Sequence, residues 1–199
     1  MVLESNNDSL LASFYACCNT CHTRKQGLPW SGASKSEYTK RVLLIGKTES
    51  GKSRIVSCLR DSPTETSGTY EPTNGTLVSR VNVPPMDLTL VEVGGKLSEF
   101  WHRSIDSKID GIWYIMSPDE LKSRDFTVLL RFLRLSSEML ISRRLPVLVT
   151  SSYADLKSIL SVQIEESGVS RVSFVQILPE YTRASLEPAL DELKRSLIT

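Results

Sequence analysis

The sequence predicts an α/β fold in which about six strands form a mostly parallel sheet, with one antiparallel strand at its edge and helices on both faces. Two observations predict it. Apolar runs of strand length alternate with segments whose apolar residues recur at helical spacing. A loop with two glycines also joins the first predicted strand to the first predicted helix. The 199 residues suffice for one domain with a sizeable core.

The first strand and the first helix follow from a change in apolar spacing. Residues 41–45 form a short run that is largely apolar and ends at Gly46, as expected for a strand buried on both faces. Ile55, Val56 and Leu59 then lie on one side of a helix.

The second and third strands read as a hairpin. Residues 76–83 and 87–93 flank Pro84 and Pro85, and prolines of this kind favour a turn between two strands. The hairpin supplies the antiparallel part of the sheet.

The remaining elements repeat the alternation. Three strand-length runs lie at residues 109–116, 145–150 and 171–177. Helix faces are predicted by Val128, Leu129, Phe132, Leu133 and Leu135, and at the end of the chain by Leu186, Leu190, Leu193 and Leu197.

Composition narrows the class of protein. Lys and Arg number 24 against 23 Asp and Glu, so no overall field points to a nucleic-acid partner. No apolar run approaches the roughly 20 residues that span a bilayer. The polar start does not read as a secretory signal, so we expect a cytoplasmic protein. The four cysteines are then not expected to form a disulfide framework.

The strongest motif lies between the first strand and the first helix. Its eight residues fit the pattern G-x-x-x-x-G-K-[ST] and are the candidate nucleotide-binding residues Gly46, Lys47, Thr48, Glu49, Ser50, Gly51, Lys52 and Ser53. The glycines let the backbone N–H groups turn toward an anion, and the helix adds its positive end. The lysine can reach outer phosphates, and the serine hydroxyl can bind Mg²⁺. The alternative is a glycine-rich turn with a surface lysine.

Two later segments resemble the switch regions of small GTPases. Glu-Pro-Thr-Asn-Gly at residues 71–75 precedes the second strand. Val-Glu-Val-Gly-Gly-Lys at residues 91–96 ends the third strand, with Phe100 and Trp101 just beyond. Together with the phosphate loop, these segments resemble the ADP-ribosylation factor family, over about four-fifths of the chain.

The resemblance implies a small G domain of the P-loop NTPase type at residues 36–199, which binds GTP or GDP with Mg²⁺. It assigns the metal to Ser53, Thr73 and Glu92, and γ-phosphate contacts to Thr73 and Gly95. It also implies a nucleotide-dependent switch in membrane or ciliary traffic, with protein effectors, an exchange factor and an activating protein as partners.

Two departures bear on catalysis. Lys96 stands where the family has the glutamine that orients the attacking water. An ammonium only donates hydrogen bonds, so hydrolysis is expected to be slow, with Lys96 as the candidate catalytic position. The alternative is that Lys96 points into solvent, which also leaves the water unpositioned. Glu92 replaces an aspartate and is one methylene longer, so Mg²⁺ affinity is expected to fall without being lost.

Base recognition departs further. The family pattern N-K-x-D is replaced by Ser152, Tyr153 and Asp155 at the matching positions. Asp155 can accept the two donors of guanine, and the Tyr153 ring can stack on a base. Alternatively, Asp155 is only the first residue of a helix. The loop expected near residues 178–181 has no recognisable counterpart.

Residues 1–35 are predicted to be an N-terminal extension that ends in a linker. A short apolar face suited to a membrane surface is formed by Leu10, Leu11, Phe14 and Tyr15. Val2 excludes N-myristoylation, whereas Cys17 and Cys18 are candidate palmitoylation sites, so peripheral membrane contact is expected. The alternative is a loosely ordered tail with free thiols.

Three functions compete on these grounds. The first is a regulatory small GTPase with weak hydrolysis. The second is a pseudo-GTPase scaffold with a degenerate nucleotide site, favoured by Lys96, Ser152 and Tyr153. The third is a P-loop kinase or ATPase, for which the sequence offers no second cluster of catalytic carboxylates.

Overall fold

The computed structural model describes residues 38–60, 73–153, 155–178 and 180–198. The strands are β1 (Tyr38–Ile45), β2 (Thr76–Val83), β3 (Met86–Val93), β4 (Gly111–Ile115), β5 (Val147–Ser151) and β6 (Val172–Gln176). The helices are α1 (Lys52–Leu59), α2 (Pro118–Ser123), α3 (Thr127–Ser142), α4 (Leu156–Glu166) and α5 (Arg183–Ile198). A 3₁₀ segment, Gly95–Ser104, follows β3 and is kinked at Leu97.

The strands form one sheet in the order β2-β3-β1-β4-β5-β6. β2 pairs antiparallel with β3 at the edge, and every other pairing is parallel. The predicted fold class, including the antiparallel edge strand, is therefore confirmed. β1 lies between β3 and β4, so the strands that follow it in sequence are placed first on one side of it and then on the other. A crevice at the carboxyl ends of the strands is where such sheets bind ligands.

The sheet is buried on both faces, and β1 shows why its sequence is continuously apolar. Val42 and Leu44 pack with apolar side chains of α1 and α5 on one face. Leu43 and Ile45 pack with α3 and α4 on the other face. Because successive side chains of a strand point to opposite faces, a strand covered on both sides needs apolar residues throughout.

Helix α2 was not predicted, and of α4 only the start beside Asp155 was. The start of α2 carries a readable signal, because Ser117 and Glu120 form a reciprocal capping box around Pro118. The predicted boundary between residues 35 and 36 lies outside the described residues and stays a prediction. No helix in the described part of the chain is long and apolar enough to cross a membrane.

Candidate functional site

The loop at residues 46–53 curls tightly between β1 and α1. Gly46 has φ 154° and Gly51 has φ 91°, values that favour glycine. A Cβ on Gly46 would overlap the carbonyl oxygen of Ile115, and one on Gly51 would lie 2.6 Å from the Tyr181 hydroxyl oxygen. Both glycines are therefore required by close approach as well as by backbone conformation.

Lys52 is held inside the curl of this loop. Only 4% of the residue is exposed. Its ammonium donates to the carbonyl oxygen of Gly46 at 2.7 Å and to that of Lys47 at 2.9 Å. Burial lowers the pKa of Lys52 from 10.5 to about 8, against the opposing effect of the Glu92 and Glu120 carboxylates. The ammonium thus sits at the centre of the loop, where an anion bound by the backbone N–H groups would meet it.

Ser53, Thr73 and Glu92 come together from three separate segments. The Ser53 hydroxyl donates to Glu92 Oε1 at 2.6 Å, and the Thr73 hydroxyl donates to the same oxygen at 3.0 Å. The two hydroxyl oxygens are 3.2 Å apart. The structure therefore brings all three predicted metal ligands into one cluster, although their binding of a metal stays a prediction.

The cluster fits a hard divalent cation. Glu92 is 1% exposed, and its Oε2 atom is buried without a hydrogen-bond partner. An orphaned carboxylate oxygen of this kind is costly unless it is satisfied, for example by a cation. Among the described residues, no three or more His, Cys, Asp and Glu side chains lie together in a way that could hold a metal ion. One carboxylate with two hydroxyls is instead an all-oxygen set, which suits Mg²⁺.

The double glycine after β3, Gly94 and Gly95, packs closely against both the Thr73 segment and the phosphate loop. A Cβ on Gly94 would overlap the carbonyl oxygen of Thr73, and one on Gly95 would overlap the backbone of Thr48. The Gly94 N–H donates to the Gly75 carbonyl oxygen at 2.9 Å. Any side chain at these positions would therefore push the segments around Thr73 and the phosphate loop apart.

Trp101 holds this double glycine from the side of the hydrophobic core. Its indole N–H donates to the Gly94 carbonyl oxygen at 3.3 Å, and its ring is fully buried. The ring packs edge-on against Tyr114 and Phe132. The start of the 3₁₀ segment is thereby anchored in the core.

Lys96 lies at the surface beside the double glycine. In the part of the chain that the structure describes, no group forms a hydrogen bond or ion pair with its ammonium. Its expected role at the water-positioning site stays a prediction.

The residues at the predicted base-binding position follow β5. Ser152, Tyr153 and Asp155 are all exposed. The Ser151 hydroxyl closes the turn by accepting from the Tyr153 N–H at 3.1 Å. Asp155 precedes α4 directly, but its side chain makes no capping hydrogen bond. The carboxylate is therefore not engaged as a helix cap and can accept donors from a ligand.

Tyr181 lies where the resemblance places a base-binding loop, at residues 178–181, but no part in this site was predicted for it. It lies in the loop between β6 and α5, and its hydroxyl donates to the Ser50 carbonyl oxygen at 3.3 Å. The Arg54 guanidinium lies 5.4 Å from the centre of its ring. Burial raises the pKa of the Tyr181 phenol, opposed by the charge of Arg54. No local pattern could reveal a contact between residues 131 positions apart in the sequence.

Glu120 is a second residue that was missed. It is fully buried, and it accepts hydrogen bonds from the Tyr114 hydroxyl at 2.6 Å and from the Ser117 N–H at 2.8 Å. Its charge partly offsets the lowering of the Lys52 pKa by burial. Burial and this carboxylate hold the pKa of Tyr114 well above its ordinary value. The capping-box spacing from Ser117 was the available signal.

Comparisons with known proteins identify a matching family, a similar sequence and a solved structure of the same fold. The model of the ADP-ribosylation factor family matches residues 31–176. ADP-ribosylation factor-like protein alp41 of Schizosaccharomyces pombe is 28% identical over 139 residues, which are 69% of this chain and 71% of alp41. The Arl6 (BBS3) small GTPase of Trypanosoma brucei, solved with the bound nucleotide analogue GppNp, has the same fold, with a TM-score of 0.59. It is 19% identical, and the superposition covers 80% of this chain and 98% of that one.

Proposed function

The chain belongs to the ADP-ribosylation factor family, and from this we propose that it is a small GTP-binding switch of the ADP-ribosylation-factor-like type. One observation carries the proposal. The phosphate loop, Thr73 and the double glycine are in contact around a partly buried cluster of side-chain oxygens. In this class of protein a γ-phosphate with its cation holds the two switch segments together, and hydrolysis releases them.

Each residue has a defined part in this proposal. The backbone N–H groups of the phosphate loop and the Lys52 ammonium bind the outer phosphates. Ser53, Thr73 and Glu92 would hold Mg²⁺, which would supply positive charge against the phosphate oxygens. Gly95 lies against Thr48 of the phosphate loop, which supports the proposed contact of its N–H with the outermost phosphate. The nucleotide analogue bound by Arl6 supports the assignment of this loop to a nucleotide.

Hydrolysis is proposed to be slow. Phosphoryl transfer to water depends on positioning the water and stabilising charge. Lys96 is exposed and cannot accept a hydrogen bond from that water. The protein then stays in its GTP-bound form until an activating protein acts.

Finer assignments follow from the sequence. The Pro-Thr-Asn-Gly-Thr segment at residues 72–76 and the Glu-x-Gly-Gly form at residues 92–95 look most like ADP-ribosylation-factor-like protein sixteen. We propose a cytoplasmic role in membrane or ciliary traffic, through protein effectors and an exchange factor. Peripheral membrane contact would run through Cys17 and Cys18, which lie outside the described residues.

A pseudo-GTPase scaffold is the second candidate. It is favoured by the exposed Lys96 and by the loss of two base-binding groups at Ser152 and Tyr153. Such a protein would bind nucleotide weakly or constitutively and would present the same surfaces without cycling.

The nucleotide content of the purified protein separates these functions. Nucleotide is released by heat from protein purified in Mg²⁺ and is identified by chromatography. GTP or GDP in near-equal molar amount to protein is the expected result. Protein that carries no nucleotide and takes up none on incubation would support a weakly binding scaffold, and bound guanine nucleotide that never exchanges with added nucleotide would support a constitutively loaded one. Bound ATP or ADP would move the chain to the kinases and ATPases.

A further inference from the structure

We propose that Arg54 and Tyr181 form a base-side pair that selects guanine, with Arg54 donating to the base edge and Tyr181 holding it in place. The inference rests on the proposed nucleotide-binding function and names the residues that give it selectivity. It accounts for a chain that has lost two base-binding groups at Ser152 and Tyr153.

Tyr181 is built into the wall of the phosphate loop. Its hydroxyl donates to Ser50, and its ring covers Gly51 so closely that a Cβ there would lie 2.8 Å from the ring carbon that bears the hydroxyl. Tyr181 has φ 48°, a backbone conformation that is unusual for a tyrosine. Backbone of this kind persists where the surrounding structure imposes it, and it is concentrated at ligand sites. Tyr181 therefore fixes the loop after β6 onto the phosphate loop.

Arg54 lies over this ring. It directly follows Ser53 in the first turn of α1 and is exposed. Among the described residues, no group accepts a hydrogen bond from its guanidinium. That first turn contains Lys52 and Arg54 but no acidic residue, which the helix dipole disfavours unless an electron-rich ligand is present. The guanidinium carbon lies 5.4 Å from the centre of the Tyr181 ring, within the range of a cation–π attraction that holds the guanidinium beside the phosphate loop.

The chemistry of a guanidinium distinguishes the two purines. Guanine presents two acceptors on one edge, O6 and N7, and arginine binds them in a bidentate manner. Adenine presents N7 beside an N6 donor, which meets a donor-only guanidinium unfavourably. Asp155, whose carboxylate is not used as a helix cap, remains to accept the donors on the other edge of guanine.

The test measures GDP and ADP affinities of the full chain by isothermal titration in Mg²⁺. Arg54→Ala is expected to lower GDP affinity about tenfold and to change ADP affinity by less than about twofold, because only guanine loses a bidentate contact. Arg54→Lys keeps the charge but not the fork and should not restore GDP affinity. The matched control is Arg60→Ala, at the other end of α1 and also exposed.

Tyr181 acts as a positioning residue, and two variants distinguish the contribution of its ring from that of its hydroxyl. Tyr181→Phe keeps the stacking surface and should retain most of the selectivity for GDP. Tyr181→Leu removes the ring beneath Arg54 and should reproduce the loss seen in Arg54→Ala. Thermal melting of each variant without nucleotide establishes that it is folded.

Three results would overturn the inference. Equal losses for GDP and ADP in Arg54→Ala would assign Arg54 to the phosphates, and unchanged affinities would remove it from the site. Full rescue by Arg54→Lys would reduce its role to charge. Lys52→Ala separates the nucleotide-binding function from the selectivity for guanine, because it should weaken the binding of GDP and ADP alike. A wild-type chain that binds neither nucleotide would refute the proposed function itself.

Discussion

The Ser53 hydroxyl donates a 2.6 Å hydrogen bond to Glu92, across 39 positions of sequence. Ser53 ends the phosphate loop, whereas Glu92 lies near the end of β3, beside β1 in the sheet. The bond shows that the Glu92 side chain, which is one methylene longer than that of aspartate, contacts the phosphate loop. It also leaves the second carboxylate oxygen of Glu92 buried and unpaired.

Glu92→Gln should remove the response to Mg²⁺. The amide has the same shape but no charge for the cation, so Mg²⁺ should no longer raise nucleotide affinity or the melting temperature of the nucleotide complex. Without Mg²⁺ the variant should be no more stable than the wild type, since the Glu92 carboxylate offsets the charge of the buried Lys52 ammonium. The measurement is thermal melting with nucleotide, in Mg²⁺ and in EDTA. An undiminished Mg²⁺ effect would exclude Glu92 as a ligand.

Lys52→Ala should weaken guanine-nucleotide binding by about tenfold to a hundredfold, the range for a lost charge-assisted contact. Titration with a fluorescent guanine nucleotide measures it. Lys108→Ala is the control, because Lys108 is exposed and precedes β4, at the end of the sheet opposite the phosphate loop. Equal affinities of Lys52→Ala and wild type would show that nucleotide does not bind at this loop.

Nucleotide affinity should fall as the pH rises above about 8, where Lys52 titrates in the free protein. The sign follows from charge: the protonated amine attracts phosphates, so deprotonation of the free protein weakens binding, by up to about tenfold per pH unit. Affinity should be flat below that pH. Lys52→Arg, which stays charged, should lose this dependence even where its affinity is lower. A wild-type affinity that is constant up to pH 10 would contradict the prediction.

Lys96→Gln should hydrolyse GTP faster than the wild type. Glutamine restores an acceptor for the attacking water, whereas lysine supplies none. Single-turnover hydrolysis of preloaded GTP compares the two proteins, with Lys96→Met as the control that removes both charge and acceptor. A wild type that is fast, and slows in both variants, would make Lys96 itself a catalytic group that neutralises the γ-phosphate.

Conversion of Cys17 and Cys18 to serine should release the protein from membranes. A single short apolar face gives marginal binding, and a second anchor is needed for stable attachment. Fractionation of cells that express each form, with Cys58→Ser as the control, measures the effect. A wild type found entirely in the soluble fraction would leave the N-terminal segment without a membrane role.

The sequence by itself determined the fold class and most of the sheet. Alternating apolar runs predict the strands, since burial on both faces demands continuous apolar residues, as in β1. Fixed spacing also predicted the phosphate loop, because the glycines, the lysine and the serine act within eight consecutive residues. The capping box of Ser117 and Glu120 was equally local and could have located α2.

Only the tertiary structure decided which distant residues meet. Ser53, Thr73 and Glu92 were grouped by resemblance, but their hydrogen bonds and the orphaned Glu92 oxygen depend on how β1 and β3 align. The contact of Tyr181 with Ser50 and Gly51 has no sequence signal. It links the loop after the last strand to the loop after the first strand. Local propensity acts over a few residues, whereas contacts between strand ends are fixed by the order of strands in the sheet.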